Sequence, residues 1–375
     1  MILTLAMRNL FYDKVSLAVT TVGILFSVVL VSVQLGIYAG TSRIITSVIE
    51  NADGEIWIAA FGTKSIEESG TLTGNERHTA LATPGVARVY PIVSTFSNWK
   101  KPDGARQLCV VIGTEVSDSG LKPWNIVGGG LEELKLPDAV AIDETYFKYL
   151  GVNGIGSTAE INGQRVRVTT LTHGIRSFTT TPYIFTTLKQ GRKLQGMPPG
   201  SANFYLVKLA EGADTATVQA DLKSRMPDLD VITKAEFKQR SLRHWLFGTG
   251  AGIALIGGAI LGTLVGTVIV AQTLYASTKD HLNEFATLRA LGSSSGYIHR
   301  VILTQAGLSA VLGYVLGMTL ALGIVALSVN TELPIIMTPS LAVGLFALTV
   351  SMCAISAVSA IIKVTRIDPA MVFSR

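Results

Sequence analysis

Residues 277–305 read STKDHLNEFATLRALGSSSGYIHRVILTQ. This is a short polar island between two long apolar segments. It carries Lys279, Arg289 and Arg300, and by the positive-inside tendency it belongs in the cytoplasm. Its centre, residues 284–292 (EFATLRALG), has the pattern of one short helix closed by a glycine. Leu282, Phe285 and Leu288 fall on one helical face with Arg289 beside them, while Glu284, Thr287 and Ala290 point elsewhere. Gly292 suits a left-handed cap, and Ser293, Ser294 or Ser295 can cap the helix that follows near Tyr297. A helix with an apolar stripe and two opposite charges fits a groove on a partner. It equally fits an interfacial connector between two spans, and spacing alone does not choose.

The flanks of the island fix the class of protein. The 375 residues are 48% hydrophobic and 15% charged, against about 25% charged in soluble domains. The apolar residues collect at the two ends of the chain. Residues 15–38 form an uncharged run, VSLAVTTVGILFSVVLVSVQLGIY. About 20 residues span a bilayer as helix, and a secretory signal has a shorter apolar part, so this run is expected to be a retained span. Residues 245–276, 301–329 and 341–362 supply three more. From Trp245 to Tyr275 a continuous helix is about 46 Å long, against a hydrocarbon core of about 30 Å. The excess predicts a stalk leaving the bilayer or a tilted span.

Basic residues mark the inner side at each turn: Arg8 and Lys14, the island 277–300, and Lys363, Arg366 and Arg375 in the tail 363–375. The loop 330–340 has no Lys or Arg. The expected topology is therefore four spanning helices, with both termini cytoplasmic and a large outer domain over residues 39–244. Residues 1–14 place Leu3, Met7, Leu10 and Phe11 on one face. They read either as an amphipathic helix in the membrane interface or as the start of the first span.

The outer domain has an α+β pattern. Strands are expected at 55–60, 88–94, 107–114, 165–171 and 203–209, and helices at 44–51, 144–150 and 215–226. The turn signals Pro102-Asp-Gly104, Gly128-Gly-Gly130 and Asn162-Gly163 punctuate it. Residues 62–75, small and polar, predict a mobile loop. Residues 234–245 predict a helix feeding straight into the second span.

Several chemistries are missing. The chain contains neither G-x-x-x-x-G-K-[S/T] nor H-E-x-x-H, and its five histidines are dispersed. Cys109 and Cys353 lie in different regions, so no pairing is expected. The net charge of +5 comes without a Lys/Arg-rich run, so nucleic acid is not an expected partner. No ionisable residue lies deep in a span, where an ion-coupled carrier places one. Gln34 and Gln305 are the notable polar exceptions. No catalytic residues, metal ligands or cofactor site are expected. An outer domain, four helices and an inner handle suit mechanical transmission. Within the spans, Gly258, Gly262 and Gly266 recur every fourth residue, as do Gly313 and Gly317. Such ridges let a second helix come close, as a seam within the chain or between two copies.

The island's sequence resembles the E-I-A-T-L-R-A-L-G stretch of FtsX/MacB-type ABC transporter permeases. The segment 366–370 (RIDPA) is similar to that family's R-x-D-P-A, and residues 5–10 (LAMRNL) are similar to its start. Within the family the middle looks closest to DevC-like permeases, through 33–36 (VQLG), 53–57 (DGEIW), 176–178 (RSF) and 182–185 (PYIF). The resemblance implies a permease in an inner membrane, acting as a homodimer, with ATP bound by separate ABC ATPase subunits. It implies ATPase coupling through Glu284, Phe285, Leu288, Arg289 and Gly292. It further implies a periplasmic adaptor (membrane fusion) protein, an outer-membrane channel, and an outer domain of two lobes, about 45–115 plus 200–240, and 116–199. Phe285 stands where the family commonly has Ile, and 293–296 (SSSG) lacks the basic residues common in relatives. Without a polar pore, the expected substrate is a lipid or another amphiphile. The alternative is an FtsX-like transmitter that switches an outer partner and carries nothing.

Overall fold

The structure is a computed structural model that describes residues 2–117, 119–280, 284, 287–288, 293–329, 331 and 334–365. Its helices are α1 (Ile2–Tyr12), α2 (Lys14–Asn51), α3 (Asn75–Leu81), α4 (Phe147–Leu150), α5 (Leu188–Gln195), α6 (Thr215–Arg225), α7 (Lys234–Leu242), α8 (Ala251–Asp280), α9 (Ser295–Ser328) and α10 (Pro339–Thr365). The strands are β1 (Ile56–Ala60), β2 (Val86–Lys100), β3 (Arg106–Thr114), β4 (Ile126–Gly128), β5 (Ala139–Asp143), β6 (Thr158–Ile161), β7 (Gln164–Thr172), β8 (Tyr183–Thr187), β9 (Phe204–Leu209) and β10 (Leu229–Thr233). Two compact units result. One comprises Met1–Gly40, Gly252–Val329 and Pro334–Arg375, the other Thr41–Ala251 with Asn330–Leu333.

Four helices are long and apolar enough to cross a membrane: α2, α8, α9 and α10. The first differs from expectation. Residues 39–43 do not end it, and the segments expected as span 15–38 and helix 44–51 are one 38-residue helix, about 57 Å long. Nothing in Ala39-Gly-Thr-Ser-Arg43 forces a stop, and Thr46 Oγ1 donates back to the Ser42 carbonyl within the helix. Its N-terminus is set by Asp13, whose Oδ1 accepts from the Val15 and Ser16 amides at 3.0 Å each. Asp13 therefore separates α1 from α2, so α1 is a helix of its own.

The second span also differs. Residues 245–276 are not one helix with what precedes them. After α7 the chain makes a π-helical turn over Arg243–Gly248, and Gly250 takes φ +80° before α8 begins. A side chain is rarely held at such a φ, and Gly248-Thr249-Gly250 supplies the glycine that allows the break. The third span begins earlier than expected, at Ser295 rather than 301.

In the second unit, ten strands form one sheet, in the order β10-β1-β9-β2-β3-β8-β5-β7-β4, with β6 bonded to β2 and β7. The pairs β3–β8 and β5–β7 are parallel and the rest antiparallel. Strand alternation places Ile56 and Ile58 on one face and Trp57 and Ala59 on the other, and all four are buried. Ile58 joins Tyr205, Val207, Val218 and Leu222 in one cluster. Trp57 packs with Phe204 and Phe237 at ring separations of 5.7 and 5.3 Å. A further core gathers Trp99, Cys109, Val111, Tyr146 and Ile184. Trp99, Cys109 and Val111, from the stretch 45–115, thus pack with Tyr146 and Ile184 from the stretch 116–199. The 15-residue β2 is the reason: its first half pairs with β9 and its second half with β3 and β6.

The segment 62–75 is pinned, contrary to the expected mobile loop. Ser94 Oγ donates to the Ile66 carbonyl at 2.6 Å, Leu72 N to the Ala202 carbonyl at 2.7 Å, and Arg240 Nη1 to the Thr63 carbonyl at 3.0 Å. Tyr183 OH donates to the buried Glu67 carboxylate. Burial and then the Glu67 charge hold that phenol well above its usual range. The segment's backbone groups are thus satisfied by distant parts of the chain rather than by solvent.

Cys109 is buried, and burial pushes its thiol up to about 12. The nucleophilic thiolate is therefore nearly absent at neutral pH. Maleimide at pH 7.5 is expected to leave Cys109 unmodified in the folded protein and to modify it after denaturation, as read by mass spectrometry.

Candidate functional site: the handle and the helix bundle

Within the handle, Glu284 and Thr287 are helical and exposed, and Leu288 is helical and half-buried. Leu288 packs against the cluster formed by Ala6, Ile298, Val301 and Ile302, which Ile2 and Leu5 of α1 also join. Leu288 thus rests on the spans and α1, while Glu284 is exposed. The Ser293 amide donates to the Leu288 carbonyl at 3.0 Å. Ser294 takes the N-cap position of α9 with extended backbone and no side-chain capping bond. Phe285, Arg289 and Gly292 lie outside the described residues, as does the segment 366–370.

The glycine ridges have a clear occupant. A Cβ on Gly258 would lie 2.8 Å from Gln34 Nε2, one on Gly262 2.9 Å from Leu30, and one on Gly266 2.5 Å from Ser27. On α9, a Cβ on Gly313 would lie 2.5 Å from Ile24 and one on Gly317 2.9 Å from Val28. Both ridges close on α2 of the same chain, so the seam is intramolecular at these five positions. Ser27 Oγ adds a bond to the Gly262 carbonyl at 2.9 Å. Helix α10 is fastened by Ser356 Oγ to the Thr267 carbonyl and by Tyr314 OH to the Ala342 carbonyl, at 2.9 and 2.8 Å. Past the end of α9, the Ile336 amide donates to the Gly36 carbonyl at 3.1 Å. Helix α2 is therefore the axis of the bundle, gripped by α8 and α9 where they lack side chains.

At its far end α2 is anchored in the domain. Lys234 Nζ donates to the carbonyls of Glu50 and Ala52 at 2.9 and 2.8 Å, closing the helix C-terminus where a cation is favoured. Burial and then the neighbouring Lys238 lower the Lys234 ammonium from its usual range. Lys238 pairs with Glu50, and Lys208 with Asp53 and Glu55 at 2.6 and 3.2 Å. Sequence reasoning missed this anchor, because a lysine 184 and 182 residues from its two acceptors leaves no local signal. Lys234→Met should destabilise the domain by about 1–3 kcal/mol, since charge-assisted bonds to two carbonyls are lost. Urea unfolding followed by Trp fluorescence checks it. Among the described residues, no group of three or more His, Cys, Asp or Glu is placed to hold a metal ion.

Residues 17–225 match the MacB-like periplasmic core domain and residues 256–369 the FtsX-like permease C-terminal region. Similar proteins include an uncharacterised ABC transporter permease of Methanocaldococcus jannaschii, 27% identical over 197 residues, 51% of this chain and 43% of that protein. Another, from Mycobacterium tuberculosis, is 25% identical over 304 residues, covering 78% of this chain and 76% of that one. Among solved structures, the periplasmic region of MacB from Actinobacillus actinomycetemcomitans aligns with 51% of this chain and 94% of its own, at 13% identity and a TM-score of 0.37. The extracellular domain of the noncanonic ABC-type transporter YknZ from Gram-positive bacteria aligns with 48% and 98%, at 13% identity and a TM-score of 0.35.

Four apolar helices with a mixed α+β domain between the first and second define a transmembrane transport component. The chain belongs to the FtsX/MacB-like family of ABC transporter permeases. Membership implies an ABC ATPase as its partner.

Proposed function

We propose that this permease converts ATP-driven motion of separate cytoplasmic ATPase subunits into movement of its outer domain, and so extrudes a lipid or other amphiphile. In this reading the chain sits in an inner membrane with both termini cytoplasmic and works as a pair of copies. An adaptor on the outer domain leads to an outer-membrane channel. The observation that carries the reading is the seating of α2. The glycine ridges of α8 and α9 close on it directly, and it continues without a break to Asn51, where Lys234 caps it. A helix held this tightly transmits displacement, and the packed bundle favours a mechanical route over a polar channel.

The test is reconstitution with the ATPase in proteoliposomes. ATP-dependent release of labelled phospholipid to an external acceptor supports extrusion. ATP-dependent uptake of a soluble polar solute into sealed vesicles contradicts it. ATP-dependent change in the outer domain with no lipid movement favours the transmitter that carries nothing.

A further inference from the structure

A small cavity of about 10 Å³ lies where α1, α2, α8 and α9 meet, next to the handle end of the bundle. It is partly open, and its wall is polar, with Asp13, Ser16 and Ser277 among its lining residues. Asn9, Gln305 and Ser309 line it and are 5%, 4% and 0% exposed. Among the described residues, Asn9 Nδ2 and Ser309 Oγ have no hydrogen-bond partner. Thr20 and Thr273, also in the wall, donate their hydroxyl protons to the carbonyls of Ser16 and Ile269 at 2.8 and 3.0 Å. Their oxygens can still accept.

Two orphaned polar groups in an apolar bundle are costly. One site facing both removes the cost, provided its occupant both donates and accepts and is no larger than a water. The volume is about one probe sphere, which is the requirement for a single buried water with two to four polar partners. A water also fits whichever way the Asn9 amide is turned. We propose that this cavity binds one ordered water, which bridges Asn9 of α1 to Ser309 of α9. Such a bridge is nearly as favourable as a direct hydrogen bond. It adds a polar tie between α1 and the third span, beside the apolar contact of Ala6 with Ile298 and Val301. The site stands independently of the transport reading.

The test is radiolytic hydroxyl-radical footprinting of the full chain in lipid nanodiscs, because radicals form at bound water and oxidise neighbours that bulk solvent does not reach. Leu274 lines the cavity and is 5% exposed, while Val270, one turn away on α8, is 0% exposed and does not line it. After normalisation to intrinsic reactivity, Leu274 should be oxidised several-fold faster than Val270. Ser309→Ala and Asn9→Leu should each bring Leu274 down to the Val270 level. Ser309→Ala removes a single oxygen, so it tests the site even where Asn9→Leu fails to fold. Equal slow oxidation of both residues in the unaltered protein overturns the proposal. So does a Leu274 enhancement that persists in Ser309→Ala, because the water would then not depend on that hydroxyl.

Discussion

Glu284→Lys and Arg289→Glu are each expected to abolish co-purification of the ATPase, while the permease still inserts and keeps its thermal midpoint. Glu284 is exposed, whereas Leu288 is half-buried against the bundle. Reversing a charge that meets its complement across a docked interface costs about 2–5 kcal/mol. At the lower figure, affinity falls about 30-fold. Residue 284 lies outside the four spans, so insertion should be spared. A pull-down from solubilised membranes with both genes co-expressed reads the first effect, and a thermal shift of the same sample reads the second. Normal assembly of both variants would refute coupling through this helix.

The second large effect is a difference in sign between two glycines on α8. Gly266→Ala places a methyl 2.5 Å from both Cβ and Oγ of Ser27 and 3.0 Å from Met352 Sδ. The clash is with the root of a short side chain, so backbone must shift, and overpacking of this kind costs about 1–3 kcal/mol. The Ser27 bond to the Gly262 carbonyl would be strained with it. A Cβ on Gly257, on the same helix, meets nothing within 4 Å. Gly257→Ala should therefore cost nothing and gain the helix preference of Ala over Gly, about 1 kcal/mol in water. Thermal midpoints measured in detergent should move down for Gly266→Ala and stay or rise for Gly257→Ala. Equal shifts would mean the ridge is not what seats α2.

The sequence made the spans plain, because uncharged runs of this length have few other readings. It also located the handle, as a charged island with helical periodicity. It could not say what the glycine ridges hold. Four-residue spacing describes one surface, and the partner is named only by Ile24, Ser27, Leu30 and Gln34 arriving from another helix. Strands with alternating faces, such as residues 165–171, were legible. Residues 139–143 (AVAID) and 183–187 (YIFTT) were not. The first is buried at every position, so burial on both faces leaves no alternation to read. The break before α8 depends on Gly250 at φ +80°, and a glycine in an apolar stretch does not announce its φ. The pinning of residues 62–75 comes from Ser94, Ala202 and Arg240, each distant in the chain.

Thiol cross-linking from the handle tests the central claim most directly. Thr287 is exposed and helical, and both native cysteines are buried, so Thr287→Cys offers one reactive thiol at the proposed docking surface. With a short bifunctional reagent in membranes that contain the assembled complex, Thr287→Cys should join the permease to the ATPase, and adding Glu284→Lys should remove the product. If an ATPase that co-purifies cross-links to Arg8→Cys but never to Thr287→Cys, the handle is not where the motor engages.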